Sequence, residues 1–357
     1  MKIACIGYLH GRGGAERQIM LLADALAERG HQVHLIVLAE NKADYTLCDR
    51  VKIWDLSSLE DKPGNRIAKR FRGLRQVLAQ IRPDISIHYW LQSAYLTALM
   101  PKSLCGKILY SERGDPGDKE YAGLLGLVRK LAFRRCDGFV FQSEGARDYF
   151  PAAVTKRSAV IHNPVSVPAG VYISSCQKRE KKIVTAGRLQ AQKNHGLLID
   201  AFAAIAADFP EYTLEIYGDG ALEDDLRRQI RENGLSGRIN LPGSCKNIFE
   251  KLYPASLFVL SSDYEGMPNA LMEAMALGLP CISTDCPPGG PRTLIRSGEN
   301  GILVPVGDKE ALAGQMAALL GDPQKAEAMG SAAKKIMETN APKQIFDQWE
   351  AYLRSLI

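Results

Sequence analysis

The sequence predicts an α/β protein with two doubly wound domains, each built on a parallel sheet. Short apolar runs typical of buried strands alternate along the chain with amphipathic segments typical of helices, as in successive βαβ units. The alternation stops near Asn163 and restarts at Lys182. A chain of 357 residues is also too long for one ordinary hydrophobic core and fits two domains.

The first series opens with an apolar strand, a glycine-containing loop and an amphipathic helix to about Arg29. In such a mononucleotide-binding unit, Gly13 and Gly14 would let backbone N–H groups approach a pyrophosphate. The dinucleotide fingerprint is incomplete, because Glu16 stands where a third glycine is required. Strands are predicted at 2–8, 33–38, 51–54, 84–88, 108–111, 138–142 and 159–162, with helices within 62–83 and up to Arg135.

A segment with Pro168, Gly170 and a charged end separates the two series. Strands of the second series are predicted at 182–187, 213–217, 239–241, 257–261, 280–284 and 301–304, with helices over 195–208, 221–233, 246–252, 268–277 and within 309–338. The predicted organisation is an N-terminal domain over 1–165, a linker over 166–180, a C-terminal domain over 181–340 and a final amphipathic helix over 341–357.

Composition narrows the class of protein. With 46% apolar and 24% charged residues, the chain has the make-up of a soluble globular protein. It lacks an apolar run of about 18 residues and its opening apolar run is too short for a signal peptide, so we expect a cytoplasmic protein. The eight cysteines form no Cys-x-x-Cys pair and the six histidines are scattered, which predicts neither zinc nor disulfides.

Positive charge is concentrated in the first half of the chain. Residues 1–165 contain 25 Lys and Arg against 17 Asp and Glu, a net charge of +8. The helix within 62–83 has no acidic residue, and a second basic cluster follows at 129–135. These features predict contact with an anionic membrane surface or a phosphate-bearing acceptor, or else an ordinary solvated helix face. Nucleic acid is not predicted, because no aromatic residues are interleaved with the charges. The candidate membrane-facing residues are Lys69, Arg70, Arg72 and Arg75.

The stretch 261–276 is the strongest candidate for chemistry. It follows an apolar strand and precedes a helix that Pro268 can open at its first position, so it forms a strand-to-helix turn. Glu265 lies in the turn and Glu273 in the helix, so both carboxylates would face the crevice where helix N-termini attract anions. A nucleotide-sugar, with phosphates and hydroxyls, suits this combination. Alternatively, the helix dipole alone favours such carboxylates.

Two cations occupy an equivalent place earlier in the second series. Arg188 follows Gly187 at a predicted strand end, and Lys193 precedes the next helix, which are positions suited to phosphate ligands. Gly218-Asp-Gly220 forms the next strand-to-helix turn, but Glu223 occupies the place of a third glycine, so a nicotinamide site is weakly supported.

Six motifs, in this order, resemble the retaining GT-B glycosyltransferases of the family 4 type. They are GGAER at 13–17, GR at 187–188, QKN at 192–194, GDG at 218–220, LPG at 241–243 and the E-x7-E pair Glu265 and Glu273. The resemblance extends from Met1 to about Asp322. It implies two Rossmann-like domains facing across a cleft, with the last helix crossing back to the first domain.

The resemblance also implies the roles of the site residues. Arg188 and Lys193 would bind the diphosphate of a UDP-type donor, Glu273 the ribose hydroxyls and Glu265 the donor sugar; Glu265, Arg188 and Lys193 form the candidate catalytic set. The full donor-binding set is Gly13, Gly14, Gly187, Arg188, Lys193, Gly218, Cys245, Glu265, Gly266, Met267, Pro268, Asn269 and Glu273. No metal or other cofactor is expected, since cations neutralise the diphosphate and the chain has no Asp-x-Asp.

The implied activity is retaining transfer of a hexose or N-acetylhexosamine from a UDP-sugar to a glycan acceptor, expected to be a lipid-linked oligosaccharide. Arg113 and Arg17 are the candidate acceptor residues. Two positions depart from the family pattern: Arg113 stands where a histidine is common, and Thr293 where a glutamate is frequent. The alternatives are a UDP-sugar 2-epimerase on the same scaffold, a nicotinamide oxidoreductase using Glu40 for the ribose, and a non-catalytic nucleotide-sugar sensor.

Overall fold

The computed structural model describes residues 1–9, 13–41, 47–59, 65–118, 121, 123–168, 170–171 and 179–357. The described chain forms two compact units, one comprising Met1–Asn163 with Lys343–Ile357 and the other Pro164–Pro342. Each unit contains one parallel sheet with helices, so the predicted α/β class with two such domains is confirmed. Most of the predicted linker over 166–180 lies outside the described residues.

The strands match the predicted alternation to within a few residues. In the first unit they are β1 Lys2–Leu9, β2 Gln32–Asn41, β3 Lys52–Asp55, β4 Ile85–His88, β5 Lys107–Ser111, β6 Gly138–Phe141 and β7 Ser158–Val160. In the second they are β8 Glu180–Ala186, β9 Thr213–Tyr217, β10 Ile239–Gly243, β11 Ala255–Leu260, β12 Cys281–Thr284 and β13 Ile302–Val304. They read as nearly continuous apolar runs because helices cover both faces of a parallel sheet.

The helices include several short ones that the sequence did not predict, over residues 91–98, 102–105, 144–148, 152–155 and 290–294. The first unit contains α1 Gly14–Glu28, α2 Arg66–Ile81, α3 Leu91–Ala98, α4 Lys102–Cys105, α5 Gly123–Arg135, α6 Glu144–Asp148 and α7 Ala152–Thr155. The second contains α8 His195–Ile205, α9 Glu223–Glu232, α10 Ile248–Leu252, α11 Asn269–Ala276, α12 Gly290–Leu294, α13 Lys309–Gly321, α14 Pro323–Ala333 and α15 Ile336–Thr339, and the last helix is α16 Pro342–Leu356. Among the described residues, no helix is long and apolar enough to cross a bilayer.

Both sheets reverse their strand order at one position. The orders are β3-β2-β1-β4-β5-β6-β7 and β10-β9-β8-β11-β12-β13, and the recorded strand pairs are parallel. The reversal falls between β1 and β4 in the first sheet and between β8 and β11 in the second. After two such neighbouring strands, the chain continues towards opposite faces of the sheet. A crevice therefore opens at their carboxyl ends, and ligands of doubly wound folds bind there.

The last helix belongs to the core of the first unit. Ile345, Phe346, Trp349 and Leu353 of α16 are buried in the apolar cluster that also contains residues of β1 and α1. Tyr352 fixes the same helix to the sheet, because its hydroxyl donates to the carbonyl of Arg157 at 2.6 Å. Burial of large apolar side chains contributes roughly 1.5–3 kcal/mol each, so α16 is integral to this unit.

A glycine contact allows α14 to pack against the turn after α11. A Cβ at Gly330 would lie 2.2 Å from the carbonyl oxygen of Gly278, whereas one at the exposed Gly314 of α13 would meet nothing within 4 Å. Gly330→Ala is therefore expected to destabilise the second unit by about 1–3 kcal/mol. Gly314→Ala, the matched control, should stabilise it by roughly 0.5–1 kcal/mol through helix propensity. Urea unfolding followed by far-UV circular dichroism measures both; similar effects of the two variants would contradict the packing argument.

A buried histidine makes the second unit sensitive to acid. Burial, followed by the charge of Lys193, lowers the pKa of His195 from 6.5 to about 4. The folded unit thus binds this proton less readily than the unfolded chain. The free energy of unfolding of the second unit is therefore undiminished by this histidine above pH 6.5 and falls as the pH is lowered towards 4. The loss is expected to reach about 3 kcal/mol at full protonation. Hydrogen exchange of the α8 amides measures it, and His195→Gln should flatten the pH dependence; an equal slope in both proteins would refute the assignment.

Candidate active site of the second unit

The candidate site lies at the carboxyl ends of β8 and β11, the neighbouring strands where the second sheet reverses its order. The chain leaves β8 through residues 187–194 towards α8, and leaves β11 through residues 261–268 towards α11. These two segments, called here the β8 loop and the β11 loop, contain Arg188, Lys193 and Glu265. The fold thus brings together Lys193 and Glu265, which are 72 positions apart in the sequence.

Hydrogen bonds join the two loops along their length. Gln192 accepts from the backbone N–H of Asp263 at 2.9 Å and donates its side-chain amide to the carbonyl of Tyr264 at 2.9 Å. Asn194, in the left-handed conformation at φ 43°, donates to the carboxylate of Asp263 at 2.8 Å, and its own side-chain oxygen caps α8. The Ser261 hydroxyl donates to the carbonyl of Lys193 at 3.0 Å. The Lys193 backbone is therefore fixed from both loops.

The central contact is an ion pair between Lys193 and Glu265, both largely buried. The Lys193 ammonium donates to one carboxylate oxygen, which also accepts from the Ser262 hydroxyl at 2.7 Å. The backbone N–H of Glu265 donates to the carbonyl of Pro287 at 2.8 Å, which holds the turn in place. Buried charges require such pairing and hydrogen bonding. Sequence reasoning missed Ser262, for which only the folded structure gives a signal.

Arg188 and Glu273 differ from this ion pair in their exposure and contacts. Arg188 is exposed, and its guanidinium donates to the side-chain oxygen of Gln192 at 3.4 Å. Glu273 is buried in α11. The prediction that Pro268 occupies the first helical position was wrong, because α11 begins at Asn269 and Pro268 is the N-cap residue. Its φ of −76° suits the cap as well as the helix, so the boundary shifts by one residue.

The glycines of the second unit permit backbone segments to touch. A Cβ at Gly218, where φ is +147°, would lie 1.9 Å from the carbonyl oxygen of Gly187, and one at Gly290 would lie 2.1 Å from that of Gly266. At Gly187 a Cβ would press on the aliphatic part of Lys193 at 3.2 Å. These glycines position the loops and leave space for the lysine, which explains their presence without a dinucleotide fingerprint.

The other members of the donor-binding set line the edge of the same region. Met267 is buried in the apolar cluster under α11, against which the half-buried Cys245 packs. Asn269 is half-buried at the start of α11. Thr293, where the family pattern has a glutamate, donates its hydroxyl to the carbonyl of Gly289 at 2.9 Å. The structure therefore places the predicted residues of the second unit around the carboxyl ends of its sheet.

In the first unit, a carboxylate already occupies the start of α1. The N–H of Gly13 donates to the carboxylate of Glu16 at 3.2 Å, while Gly14 is exposed and Arg17 is half-buried. Glu16 therefore satisfies a donor that the sequence had suggested for a pyrophosphate. The preceding residues 10–12 and the side chain of Glu40, proposed for a nicotinamide ribose, lie outside the described residues.

Arg113 is held between aromatic rings at the edge of the first sheet. Its guanidinium carbon lies 3.9 Å from the centroid of Tyr89 and 5.6 Å from that of Trp349, and it donates to the side chain of Asn163 at 2.9 Å. Burial lowers its pKa, opposed by Tyr89 and then Glu112. Glu112, which sequence reasoning missed, is buried and accepts the N–H groups of Arg113 and Gly114. These contacts give Arg113 a clear structural role; its predicted acceptor role stays a prediction.

The basic face predicted on α2 is divided by the fold. Arg72 and Arg75 are exposed, whereas Lys69 and Arg70 are half-buried and Arg70 lies over the ring of Tyr8 at 5.4 Å. The helix packs through a stripe of buried apolar residues, namely Leu74, Val77, Leu78 and Ile81. Ile67, in the first turn of the same helix, is 67% exposed. The preceding residues 60–64, including Lys62, lie outside the described part of the chain.

Known proteins match both halves of the chain. The sequence model of Glycosyltransferase Family 4 matches residues 12–167 and that of Glycosyl transferases group 1 matches residues 173–336. One relative is the Campylobacter jejuni GalNAc-α-(1→4)-GalNAc-α-(1→3)-diNAcBac-PP-undecaprenol α-1,4-N-acetyl-D-galactosaminyltransferase, 26% identical over 98% of this chain and 97% of the relative. Another is the lipopolysaccharide core biosynthesis glycosyltransferase LpsE of Rhizobium meliloti, 28% identical over 87% of this chain and 86% of the relative.

Solved structures support the fold independently. The crystal structure of Anabaena Alr3699/HepE in complex with UDP-glucose has a TM-score of 0.81 at 20% identity, covering 99% of this chain and all of that one. At this identity the match establishes the shared two-sheet architecture. Together with the two family matches and the order of the motifs, it leads to one assignment: the chain is a glycosyltransferase of the GT-B fold and belongs to the family 4, or group 1, glycosyltransferases.

Proposed function

We propose that this glycosyltransferase transfers a hexose or N-acetylhexosamine from a UDP-sugar to a lipid-linked glycan acceptor with retention of configuration. The observation that carries the proposal is the contact of Lys193 with Glu265 at the carboxyl-end crevice of the second sheet. It sets a phosphate-binding cation beside a hydroxyl-binding carboxylate. A nucleotide-sugar carries the two complementary groups next to each other, since its diphosphate is joined directly to a sugar.

The donor would meet the site in the following way. Arg188, exposed at the end of β8, and Lys193 contact the diphosphate, and Glu265 accepts a hydrogen bond from a sugar hydroxyl. Glu273, on α11, serves the ribose hydroxyls. In the free protein Lys193 is neutralised by Glu265, so donor binding redistributes the lysine's hydrogen bonds between the carboxylate and a phosphate oxygen.

The reaction breaks the bond between the anomeric carbon and the diphosphate oxygen and forms one from that carbon to the acceptor oxygen. Negative charge grows on the departing diphosphate, and the positive charges of Arg188 and Lys193 stabilise it. The acceptor hydroxyl attacks from the face that the diphosphate leaves, and its proton passes to a phosphate oxygen. Two side-chain cations meet the charge requirement, so the proposal includes no metal ion.

The names of two relatives support the choice of acceptor. The Campylobacter jejuni relative is named for a glycan on diphospho-undecaprenol, and the Rhizobium meliloti relative for lipopolysaccharide core synthesis. The Anabaena protein of the same fold was crystallised with UDP-glucose. A lipid-linked acceptor would also suit the positive charge of the first half of the chain, placing the enzyme at the inner, anionic face of a membrane.

Removing either cation tests the donor assignment. Arg188→Ala and Lys193→Ala are each expected to lower kcat/KM for the UDP-sugar by about 10²–10³-fold, or about 2.7–4 kcal/mol, because the leaving diphosphate loses a stabilising donor. Lys181→Ala is the matched control. This exposed lysine lies on β8, the strand that precedes the β8 loop, and pairs with Glu211. Steady-state kinetics with released UDP as the readout measures all three. Rates of the two site variants within a few-fold of the parent enzyme would remove the assignment.

The stereochemistry and the metal requirement form a second test. Proton NMR of the product is expected to show the anomeric coupling of the donor's α-linked sugar, and a chelator should leave the turnover rate unchanged. An inverted anomer would contradict retention. Activity that is lost with the chelator and returns with Mg²⁺ would contradict charge stabilisation by Arg188 and Lys193 alone. Release of an epimerised UDP-sugar without acceptor would instead identify the 2-epimerase activity.

A further inference from the structure

The surface helix α5 exposes leucines on its outward side. Leu124, Leu125, Leu127 and Leu131 are 76, 51, 54 and 50% exposed. The same helix packs into the first unit through Arg129, Ala132 and Phe133. A surface helix that packs on a core usually has a polar outward face, whereas α5 is apolar on both sides. Large contiguous apolar patches are uncommon on free protein surfaces and mark interaction sites.

Three of the exposed leucines form one stripe flanked by positive charge. Leu124, Leu127 and Leu131 are separated by three and four positions, which places them on one side of a helix. Lys130 and Arg134 are exposed next to the stripe, and α5 contains no acidic residue.

A further exposed leucine lies near the end of α5. Arg135 donates to the carbonyl of Met100 at 2.9 Å, which brings the end of α5 next to the end of α3. Leu99, the residue before Met100, is 76% exposed. Leu99 therefore lies near the end of α5, and we call Leu99, Leu124, Leu125, Leu127 and Leu131 the leucine face.

We propose that the leucine face inserts into the interface of an anionic lipid bilayer, with Lys130 and Arg134 against the headgroups. An amphipathic helix with leucines on one side and cations beside them is the arrangement that lies in this interface, with its apolar side about 5–10 Å deep. The inference rests on the proposed lipid-linked acceptor, and adds to it a specific mode of attachment. It differs from the α2 face, whose contact with lipid would be electrostatic.

Charge favours lipid over a second copy of this chain. In a symmetric dimer through the leucine face, the same patch would meet itself. The cations of α5 would then face those of the partner, without a carboxylate on either helix to compensate them. An anionic bilayer offers both an apolar layer for the leucines and negative charge for the flanking cations.

Vesicle flotation tests the proposal. The triple variant Leu124→Gln, Leu127→Gln, Leu131→Gln is expected to bind vesicles of equal parts phosphatidylglycerol and phosphatidylcholine roughly 100-fold more weakly than wild type, since three partly exposed leucines lose their burial in lipid. Glutamine preserves helix propensity. The matched control is Ile53→Gln, Val306→Gln, Met337→Gln, which removes exposed apolar groups elsewhere and should bind within a few-fold of wild type.

Salt and fluorescence separate insertion from charge attraction. At about 1 M salt, where the Debye length is about 3 Å, binding through α2 charges is screened, whereas the leucine contribution persists. Leu127→Trp should be quenched by lipids with brominated acyl chains, relative to the three natural tryptophans, and Ile53→Trp should not. Unchanged flotation of the triple variant, absence of quenching at position 127, or conversion of a wild-type dimer to monomer by the triple substitution would each overturn the proposal.

One further assay keeps the two proposals apart. Transfer from a UDP-sugar to a water-soluble acceptor glycan should be equal in wild type and the triple variant, because α5 lies outside the candidate active site. If wild type performs this transfer but does not bind vesicles, the inference about α5 is wrong and the proposed donor chemistry stands. If wild type binds vesicles through α5 but transfers no sugar, the proposed function is wrong and the membrane attachment stands.

Discussion

The buried ion pair between Lys193 and Glu265 is the interaction on which the site of the second unit depends. It joins loops from two neighbouring strands, and each charge needs the other because neither is well solvated. The hydrogen bonds of Gln192 and Asn194 hold the loops in the register that the pair requires. The result is a cation and a carboxylate placed together before any ligand binds. The proposed function assigns the cation to phosphate and the carboxylate to sugar hydroxyls.

Close backbone packing makes this arrangement possible. Gly218 fits against Gly187, and Gly290 against Gly266, at distances that exclude any side chain. In a dinucleotide-binding domain, glycines are associated with approach to a pyrophosphate. Here these glycines bring one protein loop against another, and the space beside Gly187 accommodates the aliphatic part of Lys193. The glycine pattern is therefore a requirement of the loop geometry, which explains why it resembles the dinucleotide pattern but does not match it.

The sequence predicted most of the architecture, because parallel strands buried on both faces are apolar along their length. It missed α3, α4, α6, α7 and α12, which are too short to show a helical period. It predicted helices within 309–338 without their boundaries, and in the structure an N-cap at Asp322 and a proline at Pro323 start α14. In the site, Arg188, Lys193, Glu265 and Glu273 could be found from strand ends and motif spacing. The partnership of Glu265 with Lys193 and Ser262, and the aromatic surroundings of Arg113, arise from tertiary contacts that sequence spacing does not encode.

The central claim is that the crevice between β8 and β11 holds the diphosphate of a uridine nucleotide. Thermal unfolding in the presence of a chelator, with UDP, UDP-sugars, GDP and NAD compared at equal concentration, tests it most directly. Ligand at about 100 times its dissociation constant adds roughly 2.7 kcal/mol to stability, a readily measured shift. The account predicts stabilisation by UDP and by at least one UDP-sugar, and loss of that stabilisation in Lys193→Ala. Stabilisation by NAD alone would contradict it and would leave Glu265 and Lys193 as a purely structural pair.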